Sequence, residues 1–233
     1  MAKTPVWKSI ALSLTADIGE GRYVTGDQLP TEAQLASKYG VNRHTVRRAL
    51  SEMADQGLVH ARRGSGVFVA SSPTEYPIGR RVRFHQNIEQ GGQTPAKRIL
   101  SLETRACDER EAEALDLQPG EIVLVYDGLT FADDQPIALF CSVFPRERLP
   151  NIEAALTQET SVTKALRQCG IPDYTRIQTR ITAKQANATQ ALHLRIAEGA
   201  PILRTTGVNA APDGTPVEFG RTWFAGDRVT LTV

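Results

Sequence analysis

Cysteine is scarce: three residues in 233, Cys107, Cys141 and Cys169, odd in number and far apart, which argues against a disulfide framework. None stands at metal-ligand spacing from any of the four histidines, so reduced packing residues are expected, with no metal and no cofactor. A glycine-rich phosphate loop, a nucleophile elbow and a zinc-ligand pair are all missing. No catalytic constellation is therefore expected, and His193 reads as a helix-side histidine. No apolar run approaches the roughly 20 residues needed to span a bilayer. The first residues also lack the apolar core of a secretory signal, so a cytoplasmic protein without membrane contact is expected.

What is present begins with helical periodicity in residues 41–57. Val46, Ala49, Leu50 and Met53 recur at helical spacing and form one apolar stripe, with His44, Arg47, Arg48 and Ser51 on the opposite arc. Asn42 is a suitable N-cap and Gly57 a suitable terminator. Upstream, Thr31 and Gln34 have capping-box spacing, Leu35, Ala36 and Tyr39 face inward, and Gly40 ends the helix. An earlier helix over residues 5–18 places Trp7, Ile10, Ala11, Leu14 and Ile18 together, with Thr4 as its cap. The tight connection over residues 40–42 matches a helix-turn-helix, whose second helix enters the major groove.

Two strand-like runs follow, residues 58–61 and 67–69, joined by Arg62, Arg63, Gly64, Ser65 and Gly66. This predicts a wing, in which Gly64 and Gly66 let the backbone approach DNA while the arginines reach phosphate or the minor groove. A basic run on a helix is usually only a solvated face. Here the charge is confined: residues 38–69 hold six basic and two acidic side chains, whereas the whole chain carries a net charge of only +1. That confinement favours nucleic-acid binding.

Residues 70–77 have linker composition. The expected division is a winged helix-turn-helix over residues 1–72, a linker over 73–79 and a second domain over 80–233. In the second domain, strands are expected at 99–104, 122–131, 137–144, 174–182, 202–209, 217–224 and 229–233. Short helices are expected near 108–115, 152–156, 162–169 and 187–194. The strand at 174–182 alternates cleanly, placing Tyr174, Arg176, Gln178 and Arg180 on one face. The fold class is α+β, with one mainly antiparallel sheet that includes the last strand.

These features resemble the GntR superfamily of transcription regulators. The resemblance rests on Leu29-Pro30-Thr31-Glu32, on residues 41–50, on Gly57-Leu58-Val59 and on the stretch from Arg63 to Val69. The tail resembles the effector-binding UTRA domain of the HutC subfamily, a fold related to chorismate lyase. It does so at Phe84, Gly92 with Pro95, Gly120, residues 134–136, Phe144-Pro145, residues 199–203, Pro216-Val217-Glu218 and Gly226-Asp227-Arg228. Within that subfamily, Tyr76-Pro77, residues 83–87, residues 42–45 and residues 178–183 are most similar to regulators of phosphonate metabolism.

The resemblance implies a homodimeric, ligand-responsive repressor that binds inverted-repeat operator DNA and is released by a small anionic effector such as a phosphonate or phosphate. It places DNA contacts at Arg43, Thr45, Arg47 and Gly64. His44, on the same basic arc, joins them, and Arg48, Arg62 and Arg63 suit phosphate or the minor groove, with Thr31 on the backbone. Ala33 departs from the pattern, because several relatives carry a contacting arginine there.

Sugar-phosphate-binding relatives carry two arginines and a glutamate at positions matched here by Gly128, Thr130 and Phe140, which disfavours such an effector. The remaining candidates for an anion pocket are Arg83 and His85 beside Phe84, Arg176 with Arg180, and Glu218 with Arg221 and Trp223. Two other readings stay open. One is a regulator of another pathway or of opposite sign; the other is an enzyme of the chorismate-lyase-like fold, for which only Arg221, Glu218 and His85 could act.

Overall fold

The computed structural model describes residues 5–62, 65–70 and 73–233. The chain divides into two compact units, Met1–Ser72 and Pro73–Val233.

The first unit contains α1 (Val6–Gly19), α2 (Glu32–Tyr39), α3 (Arg43–Asp55) and the antiparallel hairpin β1 (Val59–Arg62) with β2 (Gly66–Val69). The expected apolar stripes become its core. Leu14, Leu35, Val46, Ala49 and Met53 are wholly buried, with Trp7, Ile18 and Tyr39 packed at the edge. Each large member contributes roughly 1.5–3 kcal/mol by leaving water. Thr31 and Gln34 form the reciprocal capping box at the start of α2, and Asn42 caps α3. The cap expected from Thr4 lies outside the described residues.

The second unit has a six-stranded sheet in the order β4 (Pro95–Ala106), β5 (Ile122–Ala132), β6 (Gln135–Pro145), β9 (Pro216–Ala225), β8 (Pro201–Ala210), β7 (Thr175–Gln185). Every neighbouring pair is antiparallel. One face carries Leu124, Tyr126 and Phe140 and packs on α6 (Ile152–Gln158) and α7 (Val162–Gln168). The other carries Val123, Val125 and Val143 against α5 (Glu109–Leu115), and Leu129 and Ile202 against α8 (Ala188–Leu194). Alternation along each strand, two residues per repeat, produces this division.

Three expectations need correction. The segment taken as linker contains β3 (Thr74–Pro77), which pairs in parallel with β10 (Val229–Thr232); the buried Tyr76 and Val229 supply its apolar contact. The last strand therefore lies outside the main sheet. A helix absent from the sequence reading, α4 (Phe84–Gln90), packs Ile88 into the same cluster. Finally, the alternation of β7 is interrupted by a bulge between Arg176 and Gln178, since these two pair with the consecutive residues Asn209 and Val208. Ile177 is the extra residue, and Arg176 and Arg180 consequently face opposite sides of the sheet.

Candidate nucleic-acid interface and ligand cavity

On the first unit, the cap and the core fix which way α3 turns. Asn42 Oδ1 accepts from the Thr45 amide at 2.9 Å, and burial of Val46, Ala49, Leu50 and Met53 leaves Arg43, His44, Arg47 and Arg48 exposed. Thr45 is half-buried and its hydroxyl also donates to Asn42 Oδ1. Thr31 accepts from the Gln34 amide and donates to Gln34 Oε1. Both threonines thus hold helix starts in place.

The basic side chains are not equally free. Arg47 donates through Nε and Nη2 to the two carboxylate oxygens of Glu32, at 2.9 and 2.7 Å. Those bonds hold the Glu32 carboxyl below the usual range, with Arg43 and His44 adding to the field. The Arg48 guanidinium lies 4.7 Å from the Trp7 ring centroid. Lys38 is turned away, toward the buried Asp17 at 3.6 Å.

The wing is anchored from behind. Gln28 bridges to Phe68, its Nε2 donates to the Ser65 carbonyl at 2.7 Å, and Leu29 donates to Val67. Gly66 has φ +109°, and a Cβ there would stand 2.6 Å from Gln28 Nε2. This glycine is therefore required by its own fold. Arg63 and Gly64, expected at the tip, lie outside the described residues, as does the side chain of Arg62.

The second unit encloses a cavity of about 390 Å³ between one sheet face, the start of α4 and the connection between α6 and α7. Of the expected residues, Arg83, Phe84, His85, Arg176 and Glu218 line it. Arg180 does not, because of the bulge. Arg221 and Trp223 do not either: they alternate with Glu218 and Thr222 on β9 and project from the other face. There, Arg221 pairs with the fully buried Glu111 at 3.1 Å and donates to Cys141 Sγ at 3.2 Å. Glu111 is held bidentately by Arg105 at 2.7 and 2.8 Å, so this cluster packs apart from the cavity, with Arg221 Nε buried and unpartnered among the described residues.

Glu218 is the buried acid of the cavity. Ser142 Oγ donates to its Oε1 at 2.6 Å, and Asn209 Nδ2 to its Oε2 at 2.6 Å. The Asn209 amide oxygen in turn accepts from Arg176 Nε at 2.7 Å. Arg83 stacks 3.7 Å over the Tyr174 ring and shares Nη2 between Asp173 and the Tyr174 carbonyl. Its Nη1 is buried with no acceptor among the described residues. Burial, reinforced by Lys97, lowers the His85 pKa and favours its neutral form, so the positive charge expected from it is better sought elsewhere.

It is found at Lys97, which the sequence reading missed. Its Nζ lies 5.4 Å from the Phe84 ring and 5.0 Å from the Phe140 ring, and burial pushes the ammonium down to about 8 against the opposing charge of Glu218. The strand expected from residue 99 in fact begins at Pro95, which puts Lys97 in register with Thr130. Gly128 makes room for Phe140: a Cβ there would meet the ring at 2.6 Å. Among the described residues no cluster could hold a metal ion, and no helix is long and apolar enough to cross a membrane.

Residues 7–69 match the family of bacterial regulatory proteins called gntR, and residues 90–230 match the UTRA domain. The chain is 32% identical to the probable transcriptional regulator PhnF of Escherichia coli strain K12, over 97% of this chain and 94% of that one. It is 26% identical to the HTH-type transcriptional repressor NagR of Bacillus subtilis strain 168, over 97% and 93%. Among solved structures it is similar to PhnF from Mycobacterium smegmatis, with a TM-score of 0.68, 25% identity and coverage of 96% and 97%.

Proposed function

The chain belongs to the GntR family of bacterial regulatory proteins and carries a UTRA domain, and from that premise we propose a homodimeric repressor that leaves its operator when a small effector with an anionic group fills the cavity. The observation that carries this reading is the separation of labour between the two units. The first unit presents Arg43, His44, Arg47 and Arg48 on the exposed face of a capped helix beside a braced hairpin. The second holds a cavity lined by cations, one of which, Arg83, has a buried donor without a partner among the described residues. As a transcription regulator whose relatives are regulators, the chain needs no catalytic group in that cavity.

Dimerisation is inferred from recognition. One helix in a major groove reads only a few base pairs, and two related half-sites about one helical turn apart multiply the discrimination. Release requires the effector to favour the state that binds DNA less well. The PhnF relatives support phosphonate uptake or breakdown as the controlled pathway, and the NagR relative supports repression as the sign.

The test is a titration of labelled promoter DNA with the full chain at fixed salt, with and without alkylphosphonates. Nanomolar binding to an inverted repeat that weakens on addition of a phosphonate, together with derepression of a promoter fusion, supports the reading. Equal affinity for scrambled DNA overturns the operator assignment. Tight operator binding that no phosphonate alters removes the pathway.

A further inference from the structure

The charge count inside the cavity is more specific than a taste for anions. Four cations line it: Arg83, Lys97, Lys164 and Arg176. Three carboxylates line it as well, Glu89, Glu159 and Glu218, and Asp173 stands behind Arg83 at 2.9 Å, where it is shared with Arg81 at 2.7 Å. Lys164 is answered by Glu159 at 3.1 Å. The lining therefore carries four positive and three negative charges, so a ligand that enters meets both signs.

The charges are also sorted in space. Glu218 stands on the interior strand β9, and among the described residues its two oxygens accept from neutral donors, the Ser142 hydroxyl and the Asn209 amide. Lys97 stands on one edge strand, β4, and Arg176 on the other, β7. Lys97 has two aromatic rings beside it and no acceptor or carboxylate within bonding reach among the described residues. The side chain of Arg83 is only 10% exposed, yet its Nη1 has no partner among the described residues. Buried polar groups normally find partners; the Nε atoms of Arg204 and Arg221 are likewise buried and unpartnered among the described residues, but of the three arginines it is Arg83 that lines the cavity, where a ligand can supply the acceptor. Acid in the middle and open cationic donors around it are complementary to a molecule that carries both signs.

We propose that the cavity takes a small zwitterion, with its ammonium seated on Glu218 and its anionic oxygen group on Lys97, the open donor of Arg83 and the guanidinium of Arg176. This rests on the cavity being the effector site. The ammonium supplies the charged partner that Glu218 lacks, and the anion satisfies donors the protein leaves open. An analogue with a methyl group in place of the ammonium strands a buried carboxylate and is rejected, because an unpaired buried charge costs more than a pair gains.

Calorimetric titration of the full chain with two isosteric pairs decides this: 2-aminoethylphosphonate against propylphosphonate, and β-alanine against butyrate. In whichever pair binds, the amine-bearing member is expected to bind at least tenfold more tightly. Glu218→Gln should bring the two members to within about twofold, and Lys97→Met should weaken both. The comparison between ligands on the unaltered protein stands even if a variant fails to fold. Equal or tighter binding of the methyl analogue, lost in Lys97→Met, overturns the zwitterion but keeps the cavity as the effector site. Binding of none of the four, or binding that Lys97→Met leaves unchanged, overturns both.

Discussion

Arg47 and Glu32 face each other as fork and carboxylate: Nε and Nη2 of the arginine reach the two oxygens at 2.9 and 2.7 Å, joining α3 to the start of α2. The same planar donors would address the O6 and N7 of a guanine. On the proposed function, in which Arg47 reads a base, Glu32 pre-orients that side chain and competes with DNA for it.

Arg47→Ala is expected to lower operator affinity by roughly tenfold or more while leaving affinity for unrelated DNA within a few-fold, since a bidentate contact is base-specific. Glu32→Gln should act in the opposite sense on unrelated DNA, raising affinity by removing a negative charge and freeing the fork. Parallel titrations on operator and scrambled duplexes at one salt concentration check both.

Gly66→Ala should destabilise the first unit by about 1–3 kcal/mol, because alanine strains at φ +109° and its methyl meets Gln28. Adding Gln28→Ala relieves the clash but not the backbone strain. The double variant is thus expected to lose less than the sum of the two singles, as read by hydrogen exchange of the wing amides in the full chain.

Glu111→Ala should cost about 2–4 kcal/mol, since it leaves Arg105 and Arg221 facing a buried space without their shared carboxylate. Burial raises the Glu111 pKa, but hydrogen bonds from Arg105 and the Asp108 backbone and the charge of Arg221 outweigh it, and the net direction is down. A carboxyl depressed in the folded state stabilises above its unfolded pKa of about 4.3, and that contribution disappears as pH falls through the folded value. Denaturation midpoints below pH 5 should therefore fall less steeply in the variant.

Ligand affinity should decline as pH rises past about 8, where free Lys97 loses its proton. An anion bound beside it favours the ammonium, so binding takes up protons on the alkaline side. Calorimetry from pH 7 to 9.5 on the unaltered chain and on Lys97→Met separates this slope from the ligand's own titration. A parallel decline in both would assign the effect elsewhere.

Much of the first unit was legible in the sequence because its signals are local. Thr31 with Gln34, Asn42, and the stripe Val46, Ala49, Leu50 and Met53 act over three or four residues, and each does in the structure what its spacing implied. The basic face of α3 follows from that stripe by elimination. The cavity was legible only in part. Arg83, Phe84, His85, Arg176 and Glu218 are in it, whereas Arg180, Arg221 and Trp223 are not.

By itself the sequence determined most element types, the capped helix α3, the hairpin that follows it and the α+β character of the tail, because helical and strand periodicity and capping chemistry are set by near neighbours. The tertiary structure alone decided which charges meet. One bulge at Ile177 turns Arg180 away, one step along β9 sends Arg221 to Glu111 instead of the cavity, and an early start of β4 brings Lys97 into the field of Glu218. A one-residue change of register reverses the face of every side chain beyond it, and register is fixed by strands distant in sequence. The acid and the cations that define this cavity lie as far apart as Arg83 and Glu218 in the chain, and only the sheet brings them together.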